Sequence, residues 1–268
     1  MEKLALVTGA TGGLGREYAI DLAKRGYNLI ITGTKQERVD AFKAELEEAY
    51  KEITVFAHAC DLSSQESRTE FFDCLKANNL RPSTLINNAG YILEGSFLGC
   101  DEVEITKAVE VNAVGTLDFT YKFLKQRDEN EQCYILTVSS LAGFYPIPQM
   151  AVYGATKSLL TNFCVALRRE LRGKKVYVTA VCPGSIATND AMKASIKSQG
   201  IGGQLSLLPT ATIAHRSVNK MLKNKAKYVP GFFNKMMWLI TRFLSQTFVA
   251  NFLYKRWTKC EKKRGAYR

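Results

Sequence analysis

Short runs of β-branched and aliphatic residues alternate along the chain with longer stretches whose apolar positions recur every three or four residues. Leu4–Thr8, Asn28–Thr32, Ile53–Ala57, Thr84–Asn87, Tyr134–Ser139 and Val176–Val181 read as strands. Between them, helices are predicted near Gly13–Arg25, Gln36–Tyr50, Ser64–Asn78, Asp101–Lys125 and Ala151–Arg172. Alternation of this kind, with no internal repeat, builds right-handed βαβ units. The expected fold class is therefore α/β, a single doubly wound parallel sheet with helices on both faces. Beyond Pro183 the pattern changes. Asn189–Leu208 is polar and holds Gly200, Gly202 and Gly203, which predicts a mobile flap. Pro209–Asn224 reads as a further helix and Ala226–Gly231 as a last short strand. Residues 1–228 thus make one domain, followed over 229–268 by an extension in which apolar residues from Phe232 to Trp257 recur at helical spacing, the mark of an amphipathic helical tail.

A length of 268 residues with 46% apolar content buries a full core without disulfides or metals. The seven cysteines are scattered and form no CxxC pair, which predicts reduced, mostly buried thiols. With His58 and His215 as the sole histidines, neither beside a cysteine pair, no zinc site is expected. Met1-Glu2-Lys3 runs straight into a strand, so no signal peptide is expected, and no apolar stretch is long enough to cross a bilayer. These features predict a cytoplasmic protein. The net charge of +12 is uneven: from Val229 onward nine cations face Glu261 alone. A basic amphipathic tail lies on the inner, anionic surface of a membrane or folds back as a lid or subunit interface, and the sequence weighs these evenly. Nucleic-acid binding is not expected, because no recognition motif accompanies the charge.

The candidate chemistry starts from Tyr153 and Lys157, four residues apart on a predicted helix and hence on one face. A nearby cation favours phenolate, which is how a tyrosine becomes a general acid/base. Tyr and Lys at this spacing also commonly just cover a solvated helix face, so the rest of the chain decides. Thr8-Gly9-Ala10-Thr11-Gly12-Gly13-Leu14-Gly15 follows the first strand and opens the first helix, where glycines let backbone approach a pyrophosphate at a helix N-terminus. The end of the second strand, Thr32-Gly33-Thr34-Lys35, offers no acid for ribose hydroxyls but has Lys35, Arg38 and Arg16 nearby. NADP(H) is accordingly preferred over NAD(H), unless these cations are ordinary solvated helix-start residues.

With these pieces in order, the chain resembles the short-chain dehydrogenase/reductase family over about residues 1–225. The matching motifs are TGATGGLG at Thr8–Gly15, Asp61 after the third strand, NNAG at Asn87–Gly90, Ser140 with YGATK at Tyr153–Lys157, and PGSIAT at Pro183–Thr188, with Asn112 in VNAVG. The resemblance implies a Rossmann fold and a catalytic set of Asn112, Ser140, Tyr153 and Lys157. Tyr153 would exchange a proton with the carbonyl or alcohol oxygen. Lys157 would lower the phenol pKa and bond the nicotinamide ribose. Ser140 would polarise the carbonyl, and Asn112 would hold a water. For the cofactor it implies Gly9, Thr11, Gly13, Leu14 and Gly15 at the pyrophosphate, Thr34 and Lys35 at the second strand, Asp61 and Leu62 at the adenine, Asn88, Ala89 and Gly90 at the ribose, and Pro183, Gly184, Ile186 and Thr188 at the nicotinamide. Plainer readings remain for single residues: Asn112 as a packing residue, Ser140 as a strand end, Asp61 as an acid near a helix start. A homodimer or homotetramer is implied too.

The side chains expected around the reacting atoms, Phe144, Tyr145, Met150 and Met192 with Ser140 and Tyr153, are largely apolar. The leading function is an NADP(H)-dependent oxidoreductase that interconverts a ketone and a secondary alcohol on a steroid-like or long-chain lipid. In its tail and first helix the chain looks most like the steroid and long-chain 3-ketoacyl reductase branch, without the N-terminal membrane anchor of that branch's eukaryotic members. The alternatives are a 3-ketoacyl-(carrier protein) reductase steered by the basic surface, and a non-catalytic dinucleotide sensor or scaffold. The joint presence of all four catalytic-type residues speaks against a sensor.

Overall fold

The structure, a computed structural model, describes residues 3–187 and 201–264. Seven strands form one sheet in the order β3-β2-β1-β4-β5-β6-β7, every neighbouring pair parallel. The strands are β1 (Leu4–Thr8), β2 (Asn28–Thr32), β3 (Val55–Ala57), β4 (Thr84–Asn87), β5 (Cys133–Val138), β6 (Val176–Val181) and β7 (Lys227–Tyr228). Alternate residues of each strand feed opposite faces, as a period of two requires. Ala5, Val7, Leu29, Ile31 and Ile86 enter one core with Leu14, Tyr18 and Leu22 of α1 (Gly13–Ala23) and Val39, Phe42 and Leu46 of α2 (Gln36–Ala49). Leu6, Ile30, Leu85 and Ile135 enter the other, with Phe71, Phe72 and Leu75 of α3 (Gln65–Ala77) and the α5 residues Phe119 and Phe123. Strands so enclosed read as continuous apolar runs, which is why their spans were legible.

Several elements depart from the sequence pattern: β5 lies one residue earlier than Tyr134–Ser139, β7 keeps only Lys227–Tyr228 of Ala226–Gly231, and two others differ more. β3 loses its first two residues. Ile53 N–H donates to the Tyr50 carbonyl and Thr54 N–H to Asn28 Oδ1, so neither amide bonds along the strand, although the Thr54 carbonyl accepts from Leu29 N–H of β2. The helix expected over Asp101–Lys125 is divided into α4 (Glu102–Val109), a π-helical segment Glu110–Gly115, and α5 (Thr116–Gln126). At Gly115 an added Cβ would lie 2.7 Å from the Leu62 carbonyl, so the widened turn rests directly on the loop after β3. Such π segments gather at functional positions.

Sheet order reverses between β1, which leads to β2, and β4. This is the topological switch point, outside whose strand C-termini ligands bind in open α/β sheets. α6 (Ala151–Glu170) packs behind β5 and β6. Of the expected flap, residues 189–200 lie outside the described residues, whereas Ile201–Ser206 form a short helix, α7. α8 (Thr210–Leu222), α9 (Phe232–Thr241) and α10 (Gln246–Arg264) follow. Among the described residues no helix is long and apolar enough to cross a membrane, and no cluster of three or more metal-ligating side chains occurs. Cys60, Cys133, Cys164 and Cys182 are buried free thiols.

Candidate active site

A single cavity of about 1050 Å³ runs along the C-terminal ends of β1, β4, β5 and β6, from the glycine-rich turn to Tyr153 and on to the C-terminal helices. The turn explains its own glycines. Gly9 (φ 63°) and Gly13 (φ 51°) take the left-handed backbone that glycine tolerates. A Cβ on Gly15 would sit 2.1 Å from the Gly9 carbonyl oxygen and 2.4 Å from Asn88 Nδ2, so only glycine lets α1 close on the turn. Gly12, by contrast, has open space where its Cβ would point and lines the cavity. The amides of the first turn of α1 have no intrahelical acceptor and meet the cavity at Gly12, Gly13 and Leu14. This uncapped helix start with room beside it fits an anionic pyrophosphate.

Asn88 and Ala89 are held by Thr8: both backbone amides donate to its Oγ1 at 3.0 Å, and Asn88 Nδ2 donates to the Thr8 carbonyl. Asp61 lines the cavity with its carboxylate accepting from Ser63 N–H and Oγ–H, while Ser64 caps α3 instead. Gly9, Thr11, Gly13, Leu14, Thr34, Leu62, Asn88, Ala89, Gly90, Pro183, Gly184 and Ile186 all line the same cavity. Thr188 and Met192 lie outside the described residues.

Tyr153 and Lys157 occupy successive turns near the start of α6, and Ser140 follows β5. The serine turn is locked onto the helix. Ser139 Oγ donates to the Lys157 carbonyl at 2.7 Å, and a Cβ on Gly143 would lie 2.7 Å from that same carbonyl oxygen. Ser140 Oγ accepts from Ala142 N–H at 3.1 Å, which leaves its proton for an oxygen in the cavity. Lys157 is 3% exposed; its Nζ donates to the Val138 carbonyl at 2.9 Å and lies 5.6 Å from the centre of the Tyr153 ring. Burial pushes its pKa down to about 8. Burial raises the Tyr153 phenol above its ordinary value, with the Ser140 hydroxyl opposing. In the protein without cofactor, desolvation is thus the larger influence on the phenol, and Lys157, itself lowered by burial, is not among the groups that shift it.

Several expected contacts fall elsewhere. Asn112, in the π segment, does not line the cavity. Its Oδ1 accepts from Tyr91 N–H at 2.7 Å and its Nδ2 donates to the Tyr91 carbonyl at 2.8 Å and to Thr156 Oγ1 at 3.2 Å. It clamps the loop after β4 that carries Gly90, where a Cβ would meet both Asn112 Oδ1 and Lys157 Nζ at 3.3 Å. Lys35 precedes α2 outside the cavity, and Arg16 is bound to Glu45 and stacked on Phe42, so of the three cations Arg38 alone lines it. Gly15 is buried behind the turn. Phe144 packs instead against Trp238, the rings tilted by 45° with 5.7 Å between their centres.

Beyond Tyr153 the wall is Tyr145, Ile147 and Met150, joined by Phe233 and Met237 of α9 and Leu253 and Arg256 of α10. The sequence pattern showed these helices without showing which face turns inward. Lys107 also reaches the wall and sits 5.1 Å from the centre of the Tyr91 ring.

The profile of the short chain dehydrogenase family matches residues 3–199. The very-long-chain 3-oxoacyl-CoA reductase of Bos taurus is 33% identical over 190 residues, covering 69% of this chain and 59% of the bovine protein. Farnesol dehydrogenase of Aedes aegypti is 32% identical over 194 residues, covering 69% of this chain and 78% of its own length. A short-chain dehydrogenase from Sphingobium yanoikuyae, solved in complex with NADPH, shares the fold with a TM-score of 0.78 at 24% identity, over 90% of this chain and 92% of that one.

Proposed function

This chain belongs to the short chain dehydrogenase family, and from that premise we propose that it is an NADPH-dependent reductase of a ketone carried on a long-chain or steroid-like lipid. The observation that carries the reading is the continuous cavity, polar and glycine-lined at one end, apolar at the other, with Ser140 and Tyr153 between. The glycine turn, the open space at Gly12 and the carboxylate at Asp61 fit a nicotinamide dinucleotide. Arg38, with no acid at the end of β2, favours a 2′-phosphate. The NADPH held by the Sphingobium structure supports the same choice.

When bound, the nicotinamide supplies the hydride. The rest falls to this chain's own side chains. Ser140 donates a hydrogen bond to the carbonyl oxygen and polarises it, keeping its proton. Tyr153, neutral near pH 7, gives its hydroxyl proton to that oxygen as negative charge develops there, which yields the secondary alcohol. Lys157 stabilises the tyrosinate left behind, and solvent restores the proton. Asn112 is a positioning residue: it fixes the loop of Gly90 and Tyr91 against the lysine.

A thioester-linked 3-oxoacyl substrate is the form favoured by Lys107 and Arg256, cations in a chamber wall that also includes Glu94, and by the bovine relative's named activity. NADPH oxidation with long-chain 3-oxoacyl thioesters, ketosteroids and small polar carbonyls tests the proposal. Long-chain substrates are expected to exceed small carbonyls in kcat/KM by about tenfold or more, the worth of one or two buried methylenes. A preference for small polar carbonyls would overturn the substrate class.

A further inference from the structure

The helices that wall the cavity have a second, unpartnered side. On α9, Phe233 and Met237 face inward, whereas Phe232, 85% exposed, and Leu239 fall on the opposite side with Met236 and Ile240 exposed on the flank; Phe243, just past the helix, is 83% exposed. On α10, Leu253 faces the cavity and Val249 is buried, while Phe248 and Phe252, one turn apart, are 58% and 56% exposed. So large an aromatic surface has a partner in ordinary use. Its surroundings say which kind. Lys235, Arg242 and Lys255 are exposed beside it, and from Phe232 to Arg264 eight cations face Glu261 alone.

We propose that the outer faces of α9 and α10 dock on an anionic lipid bilayer, so that the same two helices have the substrate chamber on one side and the membrane on the other. Apolar residues on one face with cations around them are the pattern of a helix lying in the interfacial plane. Neither helix is apolar enough to cross the bilayer, so the contact is superficial. A second copy is the poorer occupant. A two-fold contact sets a patch against itself, and here that opposes cations to cations. Docking stands on these faces alone. Its use, delivery of a lipid substrate to the chamber without passage through water, rests on the reductase reading.

The experiment is co-sedimentation of the full chain with vesicles of phosphatidylcholine alone or mixed with phosphatidylglycerol, at low and high salt. NADPH binding and turnover of a soluble ketone are measured in parallel, to read the reductase proposal separately. Wild-type protein is expected to pellet with the mixed vesicles, with affinity at least about tenfold lower on pure phosphatidylcholine or at high salt. The Phe232→Glu/Phe243→Glu variant is expected to lose that binding and keep NADPH binding. Should it fail to fold, Lys235→Glu/Arg242→Glu replaces it with the same expectation. Failure to bind mixed vesicles, binding indifferent to lipid charge, or variants that bind like wild type would each overturn the proposal. So would a variant whose dimer falls apart without lipid while the wild type ignores vesicles, since the face would then be a contact between copies.

Discussion

Lys157→Met removes a charge while keeping the length of an unbranched side chain. In the nucleotide-free protein the ammonium is 3% exposed, and burial lowers its pKa from 10.5 to about 8. At about 1.4 kcal/mol per tenfold change, keeping the proton there at pH 7 costs about 3 kcal/mol of folding free energy. Methionine lifts that cost and loses the bond to the Val138 carbonyl, worth about 1–2 kcal/mol. The variant should therefore be more stable than wild type by about 1–2 kcal/mol near neutrality, and lose at least about a hundredfold in kcat. The pH dependence gives the sharper check. Between about pH 8 and 10.5 the unfolded lysine still holds a proton that the folded one has released, so wild-type stability rises with pH across that window. The advantage of the variant should accordingly shrink and reverse as pH rises. Urea denaturation of both proteins, stripped of nucleotide, at pH 7 and pH 10 measures the difference, and other titrating groups cancel between them. A gap that does not change with pH, or a variant clearly weaker at pH 7, would refute the reasoning.

Gly15→Ala forces a Cβ to within 2.1 Å of the Gly9 carbonyl oxygen, so the turn must move. Melting should show a loss of about 1–3 kcal/mol, and NADPH fluorescence titration a Kd weakened by about tenfold or more; an unchanged Kd would separate the turn from the cofactor. Arg38→Ala should weaken NADPH about tenfold and leave NADH nearly unaffected, as paired titrations will show, because it removes the cavity cation next to β2. Arg68, 3% exposed, donates to Asp118 at 2.8 Å and to the Leu62 carbonyl, so Arg68→Ala should cost about 3–5 kcal/mol in urea denaturation. Burial works to raise the Asp118 carboxyl, but bonds from Lys122 and Arg68 outweigh it and hold it below its usual value. That contribution is present above the unfolded pKa and fades as pH falls through the folded one, so the wild-type advantage should narrow in acid.

β1, β2, β4 and β6 were legible to the residue because buried parallel strands are mostly aliphatic and β-branched and end at or close to glycine, asparagine or proline. β3 was overread because Ile53 and Thr54 look β-branched while their amides go to Tyr50 and the Asn28 side chain, tertiary choices that propensity does not encode. The π segment escaped for a like reason: its cause is the contact of Gly115 with Leu62 and the grip of Asn112 on Tyr91, neither of them periodic. Tyr153, Lys157 and Ser140 could be placed from spacing, yet the sense of the pKa shifts could not. A four-residue interval shows that two groups share a helix face and is silent on whether water reaches them. Arg16 and Lys35 misled in the same way, since adjacency in sequence to the glycine turn or to β2 does not reveal that Glu45 holds one of them. The inward sides of α9 and α10 were hidden because both sides of α9 are apolar.

The central claim is that the half-buried phenol of Tyr153 delivers the proton in a chamber shared with the nicotinamide dinucleotide. Tyr153→Phe removes one oxygen and leaves the ring, so the test is NADPH binding and single-turnover reduction measured on the same preparation. NADPH should bind within about twofold of wild type while the rate constant for reduction falls by about a hundredfold or more. A variant that binds NADPH normally and still reduces the ketone at a comparable rate would contradict the account.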